Sequence, residues 1–561
     1  MAFYFAGQGA RTYTRLASLT LLLLLTATRP GRAQTIPELY DQIEQATQQK
    51  QFANVADLYT TFFEKKRGVV SWDYFRAAQA SASAQRLDAA FEYLDKMVAV
   101  GWLDDGILEK DASLQPLHTD SRWPALLARL KAAQVESQKR LDPVRVGLAG
   151  NPALGLLQRW AQDLAVNAET LYSRLTAWDQ YPAPTESGRF FRFENKLAEN
   201  LSAPYFVYVP RGYNPRKPTG VLVWLRGGIG AVNFPDGKNA DYLVENPLLR
   251  FLDENNLIEI FPEGNNAVFW TRARGMQNIT DQLTAVRKIL NVDDDRIFLA
   301  GFSNGGSGVY AFALNAPSLF AGFFSINGAI TESVFVPNLS NRPLTTLASE
   351  KDDYSDVPAI KRLQKAANSV GAAWTVTELP GQEHYYRAYE DDAFPPLLTQ
   401  MKTLKRDPLR RHLAWEVTDT EVGRCDWLQI EALNLTLPRA AWHTAPLKPN
   451  YVVERNGRVE TRSVTDDSGA VRAEYADNRF TLQTSRVQRL TLWLHPAMVD
   501  FNRPVEVLVN GKRLFHAKVV MDKALIADQF SRQFDRTQLF AARISLDVTP
   551  HPGTERREGS K

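Results

Sequence analysis

The sequence predicts a central α/β domain with a mostly parallel sheet, preceded by an all-α region of helical hairpins and followed by a β-sandwich-like region. Between Gly188 and Lys405, short apolar runs alternate with helical patterns, which is typical of parallel strands covered by helices on both faces. Before this stretch apolar residues recur every three or four positions, and after Arg411 they recur every second position. A chain of 561 residues is also too long for one hydrophobic core.

The charge balance argues against a nucleic acid partner. The chain has 66 Lys and Arg against 63 Asp and Glu, a formal charge of +3. Arg11, Arg15, Arg29 and Arg32 lie in the first 33 residues, which contain no acid, so the rest of the chain carries −1. A near-neutral protein lacks the basic surface on which nucleic-acid binding depends.

The first 33 residues are predicted to be a signal peptide that directs export to the periplasm or the extracellular space. Arg11 and Arg15 precede an apolar segment, 16–28, and Gly31 and Ala33 are the small residues of a cleavage site. The apolar segment is short for a membrane-spanning helix, which needs about 20 residues. We therefore expect no membrane span after its removal; an uncleaved anchor is the alternative.

Residues 34–140 are predicted to form a tetratricopeptide-like helical region. Ala90, Phe91, Leu94 and Val98 lie at helical spacing, and Gly101 follows as a helix cap. The resemblance lies in RLDAAFEYLDKMVAVGW and LEKDASLQPLHTDSRWPALLARL. Too few repeats are visible for an extended concave surface, so a packing cap is favoured over a site for a protein partner. Residues 141–187 are predicted to be a helical linker.

The central domain is predicted to span residues 188–408. Its candidate strands lie at 205–210, 221–225, 257–261, 296–300, 322–326, 343–348 and 374–379. Helical patterns such as 280–290 and 357–370 separate most of them. The carboxyl ends of parallel strands meet at one edge of a sheet, where ligand sites form.

The strongest motif of the chain lies where one of these strands meets a helix. Gly301-Phe302-Ser303-Asn304-Gly305 follows the apolar run RIFLA and precedes a helix of small residues. In this G-x-S-x-G pattern the two glycines permit a strained turn that raises the serine hydroxyl above the sheet. The helix N-terminus and the N–H of Asn304 can stabilise an oxyanion there. We predict that Ser303 is a nucleophile.

A serine hydroxyl needs a base, and His384 is the one histidine between residues 200 and 410. It follows the last candidate strand. Asp352 follows the strand before, 32 residues earlier, and is predicted to orient His384. Asp353 is the first alternative for the acid, with Asp356 and Glu350 behind it.

The oxyanion hole is predicted at the end of the strand VLVWL. Gly227 and Gly228 follow this strand in LRGGIG, where a backbone N–H can approach a substrate oxygen together with that of Asn304. Phe269 and Trp270 are candidates for lining a pocket, or for an aromatic core cluster.

Together these motifs resemble the esterase branch of the α/β-hydrolase superfamily, especially secreted polyhydroxybutyrate-depolymerase-like and feruloyl-esterase-like proteins. The resemblance includes YVPRGYNP, FPEGNNAVFW and NVDDDRIFLAGFSNGGSG and covers about 188–405. It implies an α/β-hydrolase fold and an ester hydrolase that works through an acyl-enzyme on a small-molecule or polymeric ester. A serine peptidase and a catalytically silent binding scaffold are the alternatives.

The sequence departs from this family at one position of the oxyanion loop. Where such proteins usually carry His-Gly-Gly, this chain has Arg226-Gly227-Gly228. Arg226 is predicted to form a structural salt bridge, or alternatively to bring a positive charge to the pocket. The sequence contains no metal-binding or dinucleotide motif, so we expect no metal and no cofactor.

Residues 409–549 are predicted to form a β-rich accessory domain, followed by a disordered tail at 550–561. Asn510-Gly511 is a hairpin signal between two strand-like runs. Trp427, Trp442 and Trp493 are interpreted as core residues, with carbohydrate or polymer binding as the alternative. The single cysteine, Cys425, is expected to be a buried thiol without a disulfide partner in the chain.

Overall fold

The computed structural model describes residues 36–65, 69, 71–100, 105–141, 151–184, 186–230, 249–330, 333–384, 390–444, 446–447, 452–455, 458–461 and 467–548. The predicted signal peptide, the helix cap at Gly101 and the predicted tail at 550–561 lie outside these residues. No helix in the described ranges is long and apolar enough to cross a membrane.

The N-terminal part of the described chain is helical. Two apolar clusters hold it together, because each helix presents one apolar face at helical spacing. The face predicted around Phe91 is buried, with Ala90 and Leu94 fully covered. The helices are α1 Ile36–Gln48, α2 Phe52–Lys65, α3 Ser71–Ser83, α4 Leu87–Val100, α5 Asp105–Lys110 and α6 Arg122–Leu141.

Two short helices, α7 Gly155–Gln162 and α8 Ala168–Thr176, precede the large sheet. They share an apolar core with the C-terminal helix Lys523–Gln533. In this core Trp178 packs against Phe530 and Phe534. The segment predicted as a linker thus packs against a helix from the C-terminal part of the chain.

The large sheet is mixed and mostly parallel. Its strands are β1 Arg189–Ala198, β2 Leu201–Val209, β3 Thr219–Leu225, β4 Ile258–Pro262, β5 Val292–Phe302, β6 Gly322–Ile326, β7 Leu344–Ser349 and β8 Trp374–Leu379. They lie in the order β1-β2-β4-β3-β5-β6-β7-β8. β2 runs antiparallel to β1 and β4, and the other pairs are parallel. The carboxyl ends of β3, β5, β6, β7 and β8 therefore meet at one edge.

Helices cover both faces of this sheet, as the continuous apolar strands require. One face packs against α10 Ala273–Ile289, α11 Asn304–Asn315 and α12 Val357–Ser369. The other packs against α9 Leu249–Asn255 and α13 Glu390–Thr403. The prediction of a mixed α/β domain with a mostly parallel sheet is confirmed.

Two further sheets follow and share one apolar core. The five-stranded sheet contains β9 His412–Val417, β14 Gly469–Ala476, β15 Arg479–Ser485, β17 Val505–Val509 and β18 Lys512–Ala517. The four-stranded sheet contains β10 Arg424–Cys425, β11 Leu428–Leu433, β16 Val487–Leu494 and β19 Ala542–Asp547. β12 Val452–Arg455 and β13 Arg458–Thr461 form a separate hairpin, and α14 is the helix Lys523–Gln533.

The C-terminal residues that the sequence singled out lie mostly in this core. Cys425 and Trp427 are fully buried, and Trp493 is 8% exposed. Burial raises the pKa of the Cys425 thiol. Trp442 is half-buried, with the Arg472 guanidinium 4.8 Å from its ring centroid. The hairpin predicted at Asn510-Gly511 joins β17 to β18, with φ of +50° and +80° at the two residues.

Buried ion pairs connect the large sheet to the C-terminal part. Arg406 donates to Asp535 at 2.7 and 2.9 Å, and Arg287 donates to the same carboxylate at 3.0 Å. Arg342 forms a two-pronged pair with Asp426 at 3.0 and 2.6 Å. Such pairs favour one arrangement of the central and C-terminal parts, because separating them would leave a buried charge without its partner.

Candidate active site

The serine turn lies between β5 and α11 at the carboxyl edge of the large sheet. Ser303 has φ +56° and ψ −118°, a strained conformation for a residue with a side chain. The flanking glycines are required by close approach: a Cβ at Gly305 would lie 1.8 Å from the Leu225 carbonyl oxygen. A Cβ at Gly301 would lie 2.6 Å from the Gly305 backbone. The turn thus holds the Ser303 hydroxyl at the edge of the sheet, as the motif predicts.

Two loops, after β7 and β8, bring an acid and a base to this hydroxyl. His384 Nε2 lies 2.9 Å from Ser303 Oγ, and His384 Nδ1 lies 2.9 Å from Asp352 Oδ1. The Asp352 side chain is fully buried, and that of His384 is 15% exposed. With a carboxylate on Nδ1, the proton of a neutral imidazole lies on that nitrogen, and Nε2 is free to accept a proton from serine.

Asp352 is held as a charged acceptor. Burial alone would raise its pKa, but hydrogen bonds from His384, the Tyr354 N–H and the Ser355 hydroxyl lower the pKa below its usual value. The Tyr354 N–H donates to Oδ1 at 2.8 Å and the Ser355 hydroxyl to Oδ2 at 2.9 Å. The lowered pKa keeps the Asp352 side chain in its ionised form, which accepts the hydrogen bond from His384 Nδ1.

The other acids considered from the sequence have different positions. Asp353 is exposed. Asp356 caps α12 by accepting from the Ala359 N–H at 2.8 Å, and Glu350 accepts from the Gly381 N–H at 2.7 Å. Of these four carboxylates, the structure brings Asp352 to His384.

The predicted oxyanion loop lies against the nucleophile. A Cβ at Gly227 would lie 3.0 Å from Ser303 Cβ, and Gly228 has φ +68°. The Gly228 N–H donates to the side-chain oxygen of Asn304 at 3.1 Å. The Asn304 N–H lies in the first turn of α11, where backbone N–H groups lack a partner within the helix.

Arg226 forms a salt bridge with the buried Glu263. Its Nε lies 2.9 Å from Glu263 Oε2, and its Nη1 donates to the Gly227 carbonyl oxygen at 3.1 Å. The structure thus places Arg226 in the first of its two predicted settings. Glu263 was not identified from the sequence; its position directly after strand β4, in FPEG, was the available signal.

Of the two positions predicted for Trp270, a pocket wall or the core, the structure shows the core. It is fully buried in the core, and its indole N–H donates to the Arg226 carbonyl oxygen at 3.0 Å. The outer edge of its ring lies close to Gly264, and its Cβ lies close to Gly308. Trp270 therefore packs in the core and bonds the backbone of the predicted oxyanion loop. Phe269 is half-buried and packs against the same core.

Asn327 was missed by the sequence analysis. It follows β6, has φ +48° and is 1% exposed. Its Nδ2 donates to the His384 carbonyl oxygen at 2.6 Å and to Ser349 Oγ at 2.9 Å. Its Oδ1 accepts from the Ser349 N–H at 2.8 Å. An Asn-Gly pair directly after a buried strand was the signal for a polar group at this edge.

Aromatic rings flank the imidazole. The Tyr354 ring centroid lies 4.5 Å from that of His384, and Tyr354 is 73% exposed. The Phe302 ring lies 5.1 Å from the same imidazole. Within the described ranges, no cluster of three His, Cys, Asp or Glu side chains could hold a metal ion.

Comparisons with known proteins give partial likenesses. No protein-family model matches the chain, and no curated protein matches it. A thermostable esterase of known structure is 20% identical with a TM-score of 0.34, over 39% of this chain and 63% of that one. An S-formylglutathione hydrolase from Staphylococcus aureus is 17% identical with a TM-score of 0.31, over 38% of this chain and 98% of that one. A ferulic acid esterase is 15% identical with a TM-score of 0.31, over 38% of this chain and 98% of that one.

Proposed function

We propose that this protein is a serine hydrolase of the α/β-hydrolase fold that cleaves carboxylic esters through an acyl-enzyme. The observation that carries the proposal is the continuous hydrogen-bond chain Ser303–His384–Asp352, with 2.9 Å at both steps. Nucleophile, acid and base follow one another along the chain in the order typical of this fold, each after its own strand.

The geometry supports a two-step acyl transfer. Ser303 Oγ attacks the ester carbonyl carbon while His384 Nε2 takes its proton, and Asp352 stabilises the imidazolium. The tetrahedral intermediate collapses when Nε2 returns the proton to the departing alkoxide, which leaves the acyl group on Ser303. Water then attacks the acyl-enzyme by the same route and releases the carboxylic acid.

A fluorophosphonate probe tests the nucleophile. We expect it to label the wild-type protein, and Ser303→Ala to abolish both labelling and ester hydrolysis. Ser307→Ala is the matched control, since Ser307 lies one turn further along α11 and donates to the Ser303 carbonyl oxygen at 3.4 Å. Equal labelling of wild type and Ser303→Ala would overturn the assignment.

The bond that is cleaved is tested with two chromogenic substrates. We expect turnover of an aryl acetate and little turnover of an aminoacyl anilide. The reverse preference would indicate a peptidase with the same residues. Absence of turnover across a broad ester panel would favour a silent scaffold.

We also propose that residues 1–33 direct export. The polar–apolar pattern of this segment supports the proposal. When the whole sequence is expressed, the exported fraction should contain a shorter chain that begins near Gln34. Recovery of the uncleaved chain inside the cell would contradict export.

A further inference from the structure

One peptide unit of the oxyanion loop is bonded at both of its polar ends. The carbonyl of the Gly227–Gly228 peptide accepts from Arg226 Nη1 at 3.1 Å. The N–H of the same peptide, which belongs to Gly228, donates to Asn304 Oδ1 at 3.1 Å. In a trans peptide the C=O and N–H point in opposite directions, so these two contacts fix one orientation of the peptide plane.

The cation on the carbonyl side is itself held. Arg226 pairs with Glu263, whose side chain is 1% exposed while that of Arg226 is 22% exposed. Trp270, which is fully buried, donates to the Arg226 carbonyl oxygen at 3.0 Å. A buried carboxylate needs its cation, so the guanidinium keeps its position beside Gly227.

The acceptor on the N–H side adjoins the nucleophile. Asn304 is the first residue of α11 and follows Ser303 directly. A Cβ added to Gly227 would lie 3.0 Å from Ser303 Cβ, so the Gly227 backbone runs close to the nucleophile. The Gly228 N–H therefore ends on the side chain of the residue next to the nucleophile, close to the carbon that Ser303 would attack.

We propose that Arg226 and Asn304 are positioning residues that hold the Gly227–Gly228 peptide from its two sides, and that the substrate carbonyl oxygen replaces Asn304 Oδ1 on the Gly228 N–H. This inference rests on the proposed function, since it concerns the same acyl transfer. The Arg226–Glu263 pair holds this loop in place, a role that the histidine usual at position 226 would otherwise have. The Asn304 side-chain oxygen holds the Gly228 N–H in one orientation until the acyl oxygen of the substrate replaces it.

Asn304→Asp tests the second half of the proposal. A carboxylate accepts the Gly228 N–H more strongly than an amide does and repels the developing oxyanion. We expect kcat per fluorophosphonate-labelled site to fall at least about tenfold, since one oxyanion donor contributes roughly 10²–10³ in kcat. KM should stay within about threefold, because the ground-state ester carries no full charge on this oxygen. Asn315→Asp, the same change at the other end of α11, should leave kcat unchanged.

The double variant Arg226→Met/Glu263→Gln tests the first half. It removes both charges together, so no buried carboxylate is left without its cation. We expect a fall in kcat of at least about tenfold and a weaker affinity for phenylboronic acid, whose serine adduct is tetrahedral. Arg489→Met/Glu431→Gln is the matched control, an Arg–Glu pair at 3.0 Å in the C-terminal sheet.

The outcomes separate this inference from the proposed function. If the wild type is labelled and active but either test variant keeps a kcat within twofold of wild type, the positioning proposal is overturned and the hydrolase assignment stands. Wild type that is neither labelled nor active would overturn the hydrolase itself.

Discussion

Asn327 Nδ2 lies 2.6 Å from the carbonyl oxygen of His384. The two residues come from the ends of different strands, and the same amide also bonds Ser349 at the end of β7. Asn327 thus connects the segment that carries the base to the strand that leads to the acid.

Asn327→Ala should reduce catalysis by displacing His384. Loss of the amide leaves the Ser349 N–H and the His384 carbonyl without this partner, at a cost of about 1–3 kcal/mol. We expect kcat per labelled site to fall about tenfold, since small displacements of a base are costly. Asn338→Ala is the control, because Asn338 is equally buried but bonds Leu314 and Glu416 away from the site. Equal kcat per site in the two variants would refute the positioning role.

Asp352→Asn should lower kcat by about 10³–10⁴-fold, because an amide on Nδ1 does not enforce the imidazole tautomer that accepts a proton at Nε2. Asp353→Asn, one residue further on and exposed, should stay within twofold of wild type. Steady-state kinetics on an aryl acetate measure both. A larger loss in the Asp353 variant would reassign the acid.

The lowered pKa of Asp352 also predicts the sign of a stability effect. A depressed folded-state pKa means that the carboxylate stabilises the fold above its ordinary pKa of 3.8 and that this contribution is lost as pH falls below it. Asp352→Asn should therefore unfold at lower denaturant than wild type at pH 7, with a smaller difference at pH 3. A difference that grows toward acid would contradict this sign.

His495 should make stability pH-dependent. It lies 2.7 Å from the Tyr172 hydroxyl, and burial lowers its pKa from 6.5 to about 4. The unfolded chain binds this proton more readily, so stability is full above pH 6.5 and falls as pH drops toward 4. The loss is at most about 3 kcal/mol. Denaturant unfolding at pH 7.5 and 5 should show a smaller loss in His495→Gln than in wild type. His412→Gln, at an exposed position, should retain the wild-type loss.

Arg406→Met should destabilise the protein by about 3–5 kcal/mol, because it leaves the buried Asp535 without its two-pronged partner. Thermal unfolding measures the effect. Arg532→Met removes an exposed pair with Asp528 on α14 and should cost less than about 1 kcal/mol. Similar losses in both variants would show that the buried pair does not couple the C-terminal part to the large sheet.

Much of the candidate site could be predicted because its residues follow strands. Ser303, Asp352 and His384 each come after an apolar run, and parallel strands bring their carboxyl ends to one edge. The G-x-S-x-G turn is a local motif, since its glycines are required by the backbone within a few residues of the serine. Their catalytic roles remain predictions that the variants above test.

The partners of these residues could not be read from the chain. Glu263 pairs with Arg226 across 37 positions, and Asn327 reaches His384 across 57. Trp270 fits a pocket wall or a core equally well by its chemistry, and only its complete burial in the folded chain places it in the core.

The local patterns of this sequence determine its strands, its serine turn and the order of its polar groups, because those depend on neighbouring residues and on periodicity. Tertiary structure alone decided which carboxylate meets the imidazole, what braces the oxyanion loop and how the last helix joins α7 and α8. Such contacts depend on distances between segments far apart in the chain, and packing of the whole core sets those distances.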